Sequence, residues 1–314
     1  MKCLRAATSL NSADILIIAF LLFLSLVEIV FATRIPYWWQ MAAINGAAIL
    51  VIGLLGKARR ATGSAVLGAV HDWHIAPTVF FTFKELYFII KPLHGGRDYD
   101  DVLIAADRWL FGGDPTRWLS GISCPVVTEI LQIAYTLFYV LFLVVGWELY
   151  RSDDKSMFHY FMFTCVYGFY LSYAGYFLLP AIGPRFTLHS FAALDRDLPG
   201  LYLTPYLRWF VNFGGSVPMG VPDSIAVAGT QRDVFPSGHT MMTIVVMYFC
   251  LRHRFRVRWF VVITGALLIL ATVYERYHYV VDLLGGTLFA VVCITTAPAL
   301  YRYIRNRFST ADAP

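Results

Sequence analysis

Apolar residues in this chain do not alternate with polar ones; they run together. Eight stretches stand out, at about residues 13–32, 38–56, 72–92, 125–150, 157–181, 236–252, 258–275 and 279–304. Their lengths fall near the roughly 20 residues that carry an α-helix across a bilayer core. The expected fold class is all-α, a polytopic membrane helix bundle of about eight transmembrane helices. Two helices occupy residues 1–62, and a larger membrane domain follows over 63–314, interrupted by long polar segments at 93–124 and 182–235. The third stretch carries Lys84 and Glu85, so part of it is expected to face other helices rather than lipid.

The polar segments have a pattern of their own. Asp107–Leu119 reads as short amphipathic helices broken at Gly112-Gly113-Asp114-Pro115 and lying along the membrane interface. Segment 182–235 is rich in Pro, Gly and Asp and reads as a loop lid with an interfacial helix over Tyr202–Phe213. No internal repeat and no low-complexity tract is visible.

Composition agrees with the pattern. The 314 residues are 58% hydrophobic and 14% charged, against roughly 25% charged in soluble domains. Aromatics reach 17%, many of them Tyr and Trp at the ends of apolar stretches, as in an interfacial belt. Lys2 and Arg5 precede the first stretch, which is long and lacks a small-x-small cleavage site; it reads as a retained transmembrane helix. Five scattered cysteines form no CxxC pair and no disulfide framework.

The net charge of +5 matters less than its placement. Lys57, Arg59 and Arg60, then Arg151 and Lys155, then Arg252, Arg254, Arg256 and Arg258, then Arg302, Arg305 and Arg307 all follow even-numbered stretches. With Lys2 and Arg5, they fall on one side if every stretch spans. Both termini are then cytoplasmic, and segments 93–124 and 182–235 are extracytoplasmic or lumenal.

The candidate chemistry lies on that outer side. Phe235-Pro236-Ser237-Gly238-His239 opens one apolar stretch, and His278 with Asp282 opens another 39 residues later. A proline at the first helical position would leave the following N–H groups pointing outward. Together with the helix dipole and the Ser237 hydroxyl they would form an anion site. Gly238 would let a phosphate approach the backbone, and His239 would stand ready to protonate a leaving oxygen. His278 and Asp282, at i and i+4, share a helix face. The carboxylate would orient the imidazole and leave its other nitrogen as a nucleophile. Arg185 ends the outer side of the fifth stretch, where its planar fork would hold two phosphate oxygens. The blander reading of each is an interfacial histidine, a structural His–Asp pair and a snorkelling arginine; three such features on one side favour a phosphate site.

Gly183-Pro184-Arg185, Pro236-Ser237-Gly238-His239 and His278-x3-Asp282, in this order, resemble the three signatures of the type 2 phosphatidic acid phosphatase superfamily, over about residues 70–304. Leu179-Pro180-Ala181-Ile182-Gly183-Pro184-Arg185 and the Asp107–Leu119 segment bring the chain nearest the inositol phosphorylceramide synthase-like branch. The resemblance implies a phosphohistidine on His278 without metal or cofactor, with Asp282 orienting and His239 as acid and base. Arg185, Ser237 and Gly238 would hold phosphoryl oxygens. Two departures matter. Leu178 stands where the superfamily has a lysine, and Ala271-Thr272 stand where it has Ser-Arg; Arg276 is the candidate replacement for the missing cation.

The last six helices would then form the catalytic bundle of a lipid phosphate phosphotransferase or phosphatase, with a lipid alcohol or water as acceptor. The expected partners are a lipid phosphate and the bilayer, not nucleic acid. A proton-coupled lipid carrier is the reading from another class, although no inverted repeat supports it. His71-Asp72-Trp73-His74 has metal-like residue types but lies at the opposite end of the third stretch. His94, His189, Arg232, Asp233 and Tyr274 flank the motifs or sit in the outer segments as candidate headgroup residues.

Overall fold

The structure is a computed structural model, and it describes residues 9–152, 154–218 and 220–308. Lys2 and Arg5 lie outside the described residues. The described residues fold entirely into helices, turns and irregular connections, with no strand among them. Four helices are long and apolar enough to cross a bilayer: Ser12–Val30, Trp38–Thr62, Ser156–Leu178 and Val280–Arg307. A fifth span is formed if Pro125–Thr136 and Phe138–Tyr150, bent by 47° at their junction, are taken as one.

Three expected spans look different in the structure. The stretch at 72–92 is divided at His74, and its longer part, Ile75–Leu93, carries Lys84, Glu85 and Lys91. Gly238–Arg252 and Arg258–Tyr274 have 15 and 17 residues, short of the roughly 20 that cross a bilayer core. Length and composition therefore support four or five spans.

Two compact units emerge from the packing. One comprises Met1–Gly95, Leu149–Tyr170 and Val292–Pro314. Its first long helix opens with a capping box in which Asn11 Oδ1 accepts from the Asp14 N–H and Asp14 Oδ2 from the Asn11 N–H, both at 2.8 Å. Such reciprocal bonds satisfy two orphan donors at a helix start. The same unit buries a polar knot. His71 Nε2 lies 3.0 Å from Asp14 Oδ2, and Asp72 Oδ1 takes a 3.1 Å bond from Arg59 and lies 3.4 Å from His159. His71 thus serves the knot, His74 Nε2 lies 3.5 Å from Asp14 Oδ1, and no group of three metal-ligating side chains is arranged to hold an ion among the described residues. Glu85 accepts from Asn45 at 2.6 Å.

The second unit comprises Gly96–Glu148 and Leu171–Val291 and contains all three motifs. Its organising device is a carboxylate that caps another helix or loop from a distance. On the amphipathic helix Asp100–Phe111, Asp107 accepts from the N–H groups of Val280 (3.0 Å) and Val281 (2.8 Å), at the start of the C-terminal helix. Asp100, on the same face seven residues earlier, accepts from the N–H groups of Ile182 and Gly183 and from the Tyr279 hydroxyl, at 2.8–3.0 Å. Glu129 accepts from four successive N–H groups, Leu201 to Thr204, at the start of helix Thr204–Gly214. Glu148 does the same for Arg256 and Val257. A helix start has unpaired N–H groups and a positive dipole end, so an anion there is favourable twice over.

The expected break at Gly112-Gly113-Asp114-Pro115 is present. Gly112 closes the first amphipathic helix with φ 76°, and Pro115 opens Pro115–Ser120. Arg108 grips Asp114 with two bonds, Nε–Oδ1 at 2.7 Å and Nη2–Oδ2 at 3.1 Å, across the turn.

Asp107→Ala should lower unfolding stability in detergent by about 2–3 kcal/mol, because two buried N–H groups lose a charged acceptor. Asp107→Asn, which keeps one acceptor oxygen, should lose less; thermal or denaturant unfolding of both variants measures the difference.

Candidate active site

The second motif begins a helix, but two residues later than proline at the first helical position predicts. Ser237 is the N-cap of Gly238–Arg252, and its hydroxyl oxygen accepts from the Thr240 N–H at 3.2 Å. Pro236 therefore precedes the helix rather than occupying its first turn, since a serine side chain caps and a proline cannot. The Gly238 and His239 N–H groups remain at the helix start, where the dipole favours an anion. A Cβ on Gly238 would run into the Tyr176 hydroxyl, so this glycine is required for packing as well as for access. The Ser237 N–H donates to the Asp282 carbonyl at 3.0 Å, and Gly286 lets the C-terminal helix come close to the Ser237 carbonyl. The second and third motifs are thereby joined through backbone.

His278 sits just before the C-terminal helix Val280–Arg307. Its Nδ1 is 3.0 Å from the Val234 carbonyl oxygen and 3.4 Å from Asp282 Oδ2. A carbonyl can only accept, so Nδ1 carries the proton and Nε2 keeps its lone pair. The orienting bond expected from Asp282 comes chiefly from Val234. Asp282 Oδ2 makes its short contact with the Tyr279 N–H, at 2.8 Å. Burial pushes the His278 imidazole down to about 4, against an opposing pull from the Asp233 carboxylate and the Val234 carbonyl. The ring is therefore neutral over the physiological range.

His239 faces it, with ring centroids 5.7 Å apart and planes inclined by 60°. An aromatic column connects this pair to Arg185. His239 stacks on Tyr135 at 4.7 Å, Tyr135 stacks on Tyr277 at 4.2 Å, and the Arg185 guanidinium lies 4.9 Å from the Tyr277 ring centre. Cation–π contact of this kind holds an arginine head without consuming its N–H donors. One donor, Nη1, bonds Asn212 Oδ1 at 3.0 Å. Arg185 follows Gly183, whose φ of 96° suits glycine and whose Cβ position is closed by the Tyr277 carbonyl. The Arg185 N–H in turn donates to the Arg276 carbonyl at 3.0 Å.

Arg276 goes elsewhere. Its guanidinium bonds Asp197 Oδ2 and Ser120 Oγ, both at 3.1 Å, and it is nearly inaccessible to solvent. What it contributes near Arg185 is a backbone carbonyl. Among the flanking candidates, Arg232 holds Asp98 with two bonds and the Tyr274 hydroxyl pairs with Thr128. His189 pairs with Thr116 at 3.0 Å, and burial, reinforced by Arg276 and Arg117, pushes it down to about 4. Asp233 acts on His278 electrostatically.

Several contributors escaped sequence reading. Asp100 and Asp107 hold the turn before Arg185 and the helix after His278, and their seven-residue spacing on one amphipathic face was the available signal. Tyr135, Tyr277 and Asn212 carried no spacing signal, and the Val234 carbonyl could carry none.

The family model described as PAP2 superfamily matches residues 101–296, more than half of the chain. The chain belongs to that superfamily, and membership suggests a phosphatase or phosphotransferase of lipid phosphates. No curated protein and no solved structure matches it.

Gly238→Ala should cost about 1–3 kcal/mol of stability through overpacking. Tyr176→Phe, which removes the clashing hydroxyl, should recover part of that loss in the double variant; a cycle of unfolding measurements tests it, and strict additivity would refute the contact.

Proposed function

We propose that this chain is a membrane-embedded phosphotransferase or phosphatase for lipid phosphates that works through a phosphohistidine. The observation that carries the reading is the facing pair His239 and His278, with His278 held through Nδ1 so that Nε2 is the available lone pair. In the first displacement Nε2 attacks phosphorus, the N–P bond forms, and the bond from phosphorus to the leaving oxygen breaks. His239 supplies the proton that this oxygen needs. In the second, His239 takes a proton from the acceptor hydroxyl, the new oxygen attacks phosphorus, and Nε2 is released. Phosphoryl transfer asks mainly for positioning and for donors set around three oxygens. Arg185, the N–H groups at the start of Gly238–Arg252 and the Ser237 hydroxyl are the proposed donors, while Asp282 and the Val234 carbonyl keep His278 aligned. Arg276 is left out of this set because Asp197 and Ser120 occupy its guanidinium.

Finer points belong to the same proposal. The likeness of Leu179–Arg185 to the inositol phosphorylceramide synthase-like branch favours a lipid hydroxyl over water as acceptor. Ile75–Leu93, Gly238–Arg252 and Arg258–Tyr274 would complete an eight-helix arrangement, with cytoplasmic termini and the site on the outer or lumenal side. No metal is required by these steps.

Purified protein with labelled lipid phosphate and a chelator should release or transfer phosphate and should trap acid-labile label on the chain. His278→Ala should abolish the label, and His239→Ala should lower turnover by about 10²–10⁴-fold, the usual worth of a general acid–base group. Wild type inert across a broad lipid panel would sink the reading.

A second outcome concerns pH. An ordinary histidine would lose its nucleophilic form below about 6.5. With His278 held down near 4, the acid limb of kcat/KM for a phosphodiester substrate should appear only as pH drops toward 4, while any alkaline limb belongs to His239, which must carry a proton in the first displacement. An acid limb centred at 6.5 would contradict the assignment.

A further inference from the structure

Helix Thr204–Gly214 is amphipathic in the wrong sense for a helix covering a protein surface. Its polar residues Thr204, Arg208 and Asn212, spaced by four, are each about 1% exposed. Its large apolar residues face outward: Leu203, Tyr206, Trp209, Phe210 and Phe213 are all at least 50% exposed, with Trp209 and Phe213 stacked at 5.7 Å.

Water would penalise that face, and the composition names what covers it. Tyr, Trp and Phe on one side of a short helix are the residues of the headgroup layer, where ring bodies meet acyl chains and polar edges stay wet. The helix is also tethered where such a layer lies. It packs on Pro125–Thr136, the first half of the bent span, and its N-terminus is capped by Glu129, one turn from the start of that span.

The inward face leads to the proposed phosphate site. Asn212 Oδ1 takes the 3.0 Å bond from Arg185. Arg208, one turn earlier, is fixed between Asp195 at 2.7 Å and Glu275 at 2.8 Å, so the helix has a preset rotation about its axis.

We propose that Thr204–Gly214 is seated in the headgroup layer of the bilayer by its aromatic face and that this seat delivers Asn212 to Arg185, making lipid contact a positioning element for the phosphate-binding arginine. The occupant is the bilayer itself, not a protein partner. The coupling to Arg185 rests on the phosphoryl-transfer reading; the seat does not.

The experiment has two arms on the full chain in phosphatidylcholine nanodiscs. In the first, Cys3 and Cys124 are replaced by serine and Tyr206→Cys carries an environment-sensitive fluorophore. Emission should be quenched by lipids brominated near the headgroup and shielded from aqueous iodide. A label open to iodide, or shielded from both because a second copy or another protein covers it, overturns the seat whatever the enzyme does.

In the second arm, Trp209→Ser with Phe213→Ser should raise KM for a long-chain lipid phosphate by roughly tenfold with little change in kcat, the mark of phosphate binding lost equally from ground and transition state. The exchange Trp209→Phe with Phe213→Trp should restore it. Asn212→Ala should give a similar KM shift. The triple variant should be no worse than either, since both act through one contact. Additive losses would overturn the coupling. A wild type inert toward every phosphate would instead count against the phosphoryl-transfer reading, while quenching still decides the seat.

Discussion

Two carboxylates on one amphipathic helix hold the second unit in its working arrangement. Asp100 fastens the turn that aims Arg185, and Asp107 fastens the start of the helix that follows His278. Residues that lie about 90 apart in the chain are thus referred to a single rigid element. Each bond joins an anion to N–H groups that secondary structure leaves unpaired, so the same contact that caps a helix also sets the register of a motif. Backbone bonds from Ser237 to Asp282 and from Arg185 to Arg276 complete the junction of the three motifs.

Around that frame the site uses aromatic rings where a soluble enzyme would use water. Tyr135 and Tyr277 lie between His239 and the Arg185 guanidinium, so the cation is held by ring faces and keeps most of its N–H donors for another partner. Burial of His278 lowers its proton affinity, and the Val234 carbonyl sets which nitrogen holds the remaining proton. A neutral, oriented imidazole facing a second imidazole suits a two-step displacement at phosphorus. Arg276, the candidate for the cation missing at Leu178 and Ala271-Thr272, has its guanidinium bonded to Asp197 and Ser120.

Much of this was legible in the chain. Uninterrupted apolar runs foretold the four long helices and the bent fifth, because a bilayer demands length and hydrophobicity that no other context requires over 20 residues. The Gly112–Pro115 break followed from turn chemistry. Gly238–Arg252 and Arg258–Tyr274 are less legible, because hydropathy registers their apolar character while their 15 and 17 residues fall short of a full crossing. Pro236 illustrates a competing preference, since Ser237 caps the helix better and moves its start along by two residues.

By itself, the sequence determined the all-helical class, the three motifs and the identity of the histidines that meet, because periodicity and residue type are properties of the chain. Only tertiary structure decided which nitrogen of His278 is protonated, where Arg276 spends its charge and how Asn212 comes to touch Arg185. Those outcomes depend on backbone carbonyls, which carry no sequence signature, and on pairings such as Arg276 with Asp197 across 79 residues. Neighbours at that separation are chosen by packing in three dimensions, after the local rules have been satisfied.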